Sequence, residues 1–205
     1  RQPIPADGGP QIWCYANVGR GCSGSASYPD CPVTYKTGRV RQDPSPAHIA
    51  AGHLMGGRLD ALPFFAESAD WSDAVPRWGM FLNDQLSDCT CASTAHALML
   101  RTALAGHMLV PSDGDVRTLY EAVAGYVPGH PETDNGAVQA DVCQYLVTTG
   151  FLGHKAAFTS PIDLSSRDDQ SLDRIRRTIQ LAAHCRLGVN LPDGAEEDFD
   201  AAEAW

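Results

Sequence analysis

The chain has 205 residues, of which 43% are hydrophobic and 20% charged, and a formal net charge of -10. That length supports one substantial domain with a real core. The acidic balance, 15 Lys and Arg against 25 Asp and Glu, excludes a general nucleic-acid binder, because counterion release needs clustered cations, and no run reaches the roughly 18 consecutive apolar residues of a membrane span.

Residues 1–47 are punctuated by Pro3, Pro5, Pro10, Pro29, Pro32, Pro44 and Pro46, with Gly8-Gly9 and Gly21-Cys22-Ser23-Gly24 between them. Such density predicts an irregular, extended N-terminal arm that becomes ordered by docking on a protein partner or a neighbouring subunit. Isolated residues such as Ile12, Trp13 and Tyr15 can support a short strand or lie across another surface. Cys14, Cys22 and Cys31 follow no common zinc spacing, which leaves a disulfide within the trio or reduced thiols. Seven cysteines in all is an odd count, so at least one thiol is free, metal-bound or paired to another chain.

Residues 48–70 read as a linker with a short helix, opened by Pro46 and closed by Gly56-Gly57. His48 and His53 sit about 140° apart around such a helix and share no metal site. From 71 to 205 the pattern becomes regular. Ser87 or Asp88 caps a helix running to about Leu104 and ending near Gly106. Ser112 or Asp113 caps a second through Ala124; Asn135-Gly136 opens a third that Gly150 stops. His154 to Thr159 alternates as a strand, Ser171 to about Cys185 is a fourth helix, and Leu187 to Leu191 a buried strand. Helices first and strands later predict an α+β fold.

The chemistry-bearing stretch is Trp78-Gly79-Met80-Phe81-Leu82-Asn83-Asp84-Gln85-Leu86-Ser87-Asp88-Cys89-Thr90-Cys91-Ala92, with His96 after it. A thiol in the first turn of a helix feels the positive end of the peptide dipoles, which favours the nucleophilic thiolate. A carboxamide one short loop upstream can donate an N–H to the oxyanion of an attacked carbonyl, worth roughly 3 kcal/mol. The stretch offers this twice, Asn83 before Cys89 and Gln85 before Cys91, each six residues apart. Cys89 is the better placed, nearer the free amides of the cap, and Cys91 turns towards the helix interior. Two small buried hydrophobes are the alternative reading of the pair.

The segment resembles a group of bacterial and phage-borne papain-fold proteins whose hallmark reads approximately Trp-Gly-x-x-x-Asn-Asp-x-x-Gly-Asp-Cys-Thr-x-Ala-x-x-x-His; here Ser87 replaces the usual Gly. Thr133-Asp134-Asn135-Gly136, Tyr145, Gly150 and Gly153-His154-Lys155 are similar to later parts of the pattern, so the likeness covers Trp71 onward. It implies a papain-like fold, incomplete in this chain, with Cys89 as nucleophile and Asn83 or Gln85 as oxyanion donor. It also implies a catalytic histidine that opens a later strand, here expected beyond Trp205.

The histidines present do not fill that role on spacing. His96 is two turns from Cys89, about 10 Å by rise, and reads as a packed or capping residue. His154 precedes a strand but comes one element early; His107, His130 and His184 read as loop or helix-end residues. Cys89-Thr90-Cys91 lacks the two-residue spacing of a redox pair, and a zinc site completed by Cys143 and Cys185 is disfavoured because all four cysteines fall within helices. No metal or cofactor is expected, and the acidic groups of 163–173 and 196–200 read as solvated surface.

Without a complete dyad, the expected function is a papain-fold structural or assembly component, virion-associated by analogy with its look-alikes. The alternative is a cysteine peptidase acting on peptide substrates, its histidine supplied beyond 205. A secreted module with disulfides across 10–35 is a third reading. Virion and bacterial cytoplasm both remain open as locations.

Overall fold

The computed structural model describes residues 11–17, 39–40, 68, 70–162 and 169–188. Helix and strand are mixed, in keeping with an α+β class. The expected helix in 46–62, Cys22 and Cys31 of the N-terminal cysteine trio, and the acidic run at 196–200 lie outside the described residues. Among those described, no helix is long and apolar enough to cross a membrane.

Among the described residues four α-helices carry the body: α1 (Cys89–Leu104), α2 (Asp113–Ala124), α3 (Gln139–Thr148) and α4 (Asp169–Ala182). Their ends follow local chemistry. Ser112 and Asp115 form a reciprocal capping box at the start of α2, the Asp115 amide donating to Ser112 Oγ at 3.2 Å and the Ser112 amide to Asp115 Oδ2 at 2.8 Å. Gly125 ends that helix in the left-handed conformation, φ 70°. Helix α1 is buried on nearly all sides, through Cys91, Ala95, Leu98, Met99 and Thr102 among others, which makes it the central element. Val116, Leu119 and Tyr120 of α2 and Val142 and Leu146 of α3 pack into the core around it.

The strands are β1 (Gln11–Asn17), β2 (Arg39–Val40), β3 (Ala137–Val138), β4 (Ala156–Ile162) and β5 (Arg186–Gly188). Among the described residues they form two parallel sheets, ordered β4-β1-β5 and β2-β3. Residues 11–17 therefore depart from the irregular-arm reading. They form the middle strand of a sheet, with Ile12 opposite Phe158 and Tyr15 opposite Arg186. This is the short-strand alternative read for Ile12, Trp13 and Tyr15, paired with the chain's own β4 and β5. Both flanks of an extended segment then find backbone partners, which local Pro and Gly density could not announce.

The turn between α3 and β4 is set by Gly150, at φ +90°. A Cβ there would lie 2.6 Å from the His154 carbonyl oxygen. Gly106, at φ +86°, has open space around it. Gly150→Ala is expected to cost at least about 2 kcal/mol and Gly106→Ala only about 1 kcal/mol, read as the difference in denaturation midpoints. Equal costs would show that backbone strain alone, and not the His154 approach, governs the turn.

Candidate functional site

The approach to α1 is a tight loop in which Phe81 and Leu82 both adopt positive φ, 54° and 68°. Such conformations cost of order 1–3 kcal/mol each for residues with a Cβ and need the surroundings to hold them. The Leu86 amide donates to Leu82 O at 2.8 Å and the Asn83 amide to Met80 O at 3.0 Å. His96 clamps the loop from the helix. Its Nε2 donates to the Gly79 carbonyl at 2.7 Å, and its ring lies edge-on to Trp78 and tilted against Phe81. The packed role read from the sequence spacing is the arrangement found.

A second tie fixes the helix entrance. Asp134 Oδ1 accepts from the Ser87 amide at 2.9 Å and from the Tyr120 hydroxyl at 2.8 Å, and that hydroxyl accepts from the Gly136 amide at 2.9 Å. The Asp134-Asn135-Gly136 turn is thus stitched to the start of α1, with the Tyr120 hydroxyl pushed up by burial and by Asp134. Asp88 occupies the N-cap position, but its side chain makes no capping bond. It is 0% exposed, and neither carboxylate oxygen has a hydrogen-bond partner beyond the residue's own backbone amide. Burial, with Asp134, Asp84 and Asp113 nearby, pushes its carboxyl up to about 7.

The two cysteines of the motif separate cleanly. Cys91 is 0% exposed and its thiol is pushed up to about 12, by burial first and by the charge of Asp88 second. Cys89 is half-buried and opens on a cavity of about 290 Å³. Across that cavity stand Gln139, His184, Cys185 and Arg186, with Ser93 one helical turn from the thiol. Asn83 and Gln85 are not in its wall. Gln85 is exposed, and Asn83 is half-buried with its Oδ1 shielded and without a hydrogen-bond partner. The carboxamide that the fold brings to the cavity is instead Gln139, at the first turn of α3, whose Nε2 donates to Cys143 Sγ at 3.7 Å.

His184 is the imidazole that the sequence reading passed over as a helix-end residue. It sits in the short link between α4 and β5, and its Nδ1 donates to the Ala182 carbonyl at 3.1 Å. A carbonyl can only accept, so the proton is on Nδ1 and Nε2 is the basic nitrogen. Burial first, then the guanidiniums of Arg186 and Arg101, push the imidazole down to about 3. Cys185 beside it is pushed up to about 11 by burial. His154, the other histidine considered as a base, instead pairs with Phe151 across a tight turn and is absent from the cavity wall.

Arg186 is inward-facing on β5 and 6% exposed. Its Nη1 donates to Thr94 Oγ1 at 2.8 Å and its Nη2 reaches Cys143 Sγ at 3.9 Å. Cys91, Cys143 and Cys185 are free thiols. Among the described residues no group of three His, Cys, Asp or Glu is arranged to hold a metal ion. No family model, curated protein or solved structure matches the chain.

Proposed function

We propose that this chain is a papain-like protein whose thiol site is catalytically incomplete and that it serves as a structural or assembly component, with the particle-associated role implied by its sequence likeness. The reading is supported chiefly by His184: the imidazole that shares the cavity with Cys89 is kept neutral by burial first and by two guanidiniums second. Thiol proteolysis needs that ring to accept the thiol proton. An imidazole pushed down to about 3 is a poor acceptor for a thiol proton. The position of Asn83 and Gln85 outside the cavity wall supports the same reading, because the loop amides expected to hold the oxyanion do not line the space on which Cys89 opens.

A cysteine peptidase is the second reading, favoured by one observation: Cys89, at the start of a 16-residue helix, shares a cavity with an imidazole whose Nε2 is the basic nitrogen and with the Gln139 amide. Alkylation by iodoacetamide, followed peptide by peptide across pH, separates the two. The proposal expects Cys89 to react faster than Cys91, with its rate rising through about pH 8 as an unassisted thiol does. A Cys89 rate already at its plateau below about pH 6 would mean a thiolate–imidazolium pair and would favour the peptidase.

A further inference from the structure

Asn135-Gly136 is the only asparagine–glycine pair in the chain. Asn135 is exposed, whereas Gly136 is buried and sits at φ 81°. Such a pair carries a chemistry of its own. Once the glycine nitrogen gives up its proton it can attack the neighbouring carboxamide carbon, and glycine has no side chain to hinder the approach. In a loose chain a cyclic imide then closes and ammonia leaves.

The fold works against both reacting groups. The nucleophile is engaged, because the Gly136 amide donates to the Tyr120 hydroxyl at 2.9 Å in a buried position. That hydroxyl is itself held, donating to Asp134 Oδ1 at 2.8 Å from a side chain that is 0% exposed. The proton that must leave is thus kept on nitrogen, away from solvent base. The carboxamide is anchored as well: Asn135 Nδ2 donates to the Glu132 carbonyl at 2.9 Å. Asp134 carries the arrangement on to α1 by accepting from the Ser87 amide at 2.9 Å.

We propose that Asn135 is a deamidation site gated by the Tyr120 hydroxyl, and that its conversion loosens the entrance of α1. Hydroxide removes the Gly136 amide proton, the nitrogen bonds to Asn135 Cγ, and the Cγ–Nδ2 bond breaks. A proton from water completes the departing ammonia and regenerates hydroxide. Water then opens the succinimide at either carbonyl, giving aspartate or isoaspartate. Either product replaces the donor that faces the Glu132 carbonyl with an acceptor. Each also adds a negative charge next to Asp134, whose own charge already acts on the buried Asp88. Isoaspartate further lengthens the backbone of the stitched turn by one methylene. This goes beyond the structural role and needs no reaction at Cys89.

Peptide mass spectrometry at mildly alkaline pH, in heavy-oxygen water to mark the opened imide, follows the conversion. The folded chain is expected to keep its amide about tenfold longer, or more, than the same chain in urea. Tyr120→Phe keeps the ring that stacks on Tyr126 and removes only the acceptor. With its helices intact by circular dichroism, it is expected to deamidate about fivefold faster than the parent or more. Leu146→Ala truncates a core side chain of α3 outside the turn's hydrogen bonds, and is expected to stay within about twofold of the parent. Hydrogen exchange at the Gly136 amide needs no variant: exchange and deamidation should be slowed together in the parent and rise together as sub-denaturing urea is added. Asn135→Asp, which installs one product directly, is expected to lower the denaturation midpoint. Equal rates for the folded and unfolded parent, or a folded Tyr120→Phe chain no faster than the parent, overturn the gate. If Tyr120→Phe does not fold, a Gly136 amide that exchanges freely in the parent while Asn135 persists overturns it. An unchanged midpoint for Asn135→Asp overturns the loosening.

Discussion

Replacing Asp88 with Asn is expected to stabilise the protein by roughly 4 kcal/mol at about pH 8 and to change it little at about pH 4. The carboxyl is pushed from 3.8 to about 7 by burial and by neighbouring carboxylates. Its folded value lies above its unfolded one, so folding favours the protonated form. The contribution is fully present below about pH 4 and is lost as pH rises through about 7. Above that, an ionised carboxylate stands at 0% exposure with no hydrogen-bond partner beyond its own backbone amide, while Asn keeps the shape without the charge. Chemical denaturation of both proteins across pH measures the difference. A variant less stable than its parent at about pH 8 would mean that ionised Asp88 caps α1 after all.

His184→Asn is expected to show the opposite pH dependence. The imidazole is pushed down from 6.5 to about 3, so folding favours the neutral ring. Its contribution is fully present above about pH 6.5 and is lost as pH falls towards about 3. Asn can still donate to the Ala182 carbonyl that His184 Nδ1 holds at 3.1 Å, but it does not titrate. Relative to its parent, the variant should therefore gain roughly 3 kcal/mol between about pH 7.5 and about pH 4.5. In the parent the two groups largely cancel between about pH 4 and 6.5, because Asp88 disfavours rising pH and His184 favours it. A flat parental profile that tilts one way in the Asp88 variant and the other way in the His184 variant is the combined signature. Parallel profiles for all three proteins would show that neither group titrates abnormally in the fold.

The helices were legible because their punctuation is local. Ser112 with Asp115, and Gly106, Gly125 and Gly150 beyond the helix ends, act through backbone geometry within a few residues. The thiol was legible for the same reason: a cysteine at a helix start is a one-dimensional feature. What the sequence hid is tertiary. Strand β1 is made by the partners that flank it, β4 and β5, from more than a hundred residues downstream. On β5 the alternation runs against hydropathy, with Arg186 inward at 6% and Leu187 outward at 51%, so a pattern that expects leucine in the core misplaces the charge. His184 and Gln139 meet Cys89 only through the packing of α1, α3 and the α4–β5 link, and no spacing rule links them. Asp88 looked like an ordinary N-cap because the residue type cannot report that its side chain turns inward. The upstream amides keep the six-residue interval, but after the strained turn at Phe81 and Leu82 neither Asn83 nor Gln85 lines the cavity on which Cys89 opens.

The protonation state of His184 decides between an idle and a working thiol site, and nitrogen NMR of the ring reads it directly. The account predicts a neutral ring carrying its proton on Nδ1, unchanged from about pH 8 down to about pH 5. An imidazolium signal in that range, lost when Cys89 is replaced by Ser, would contradict it and point to a charged thiolate–histidine pair.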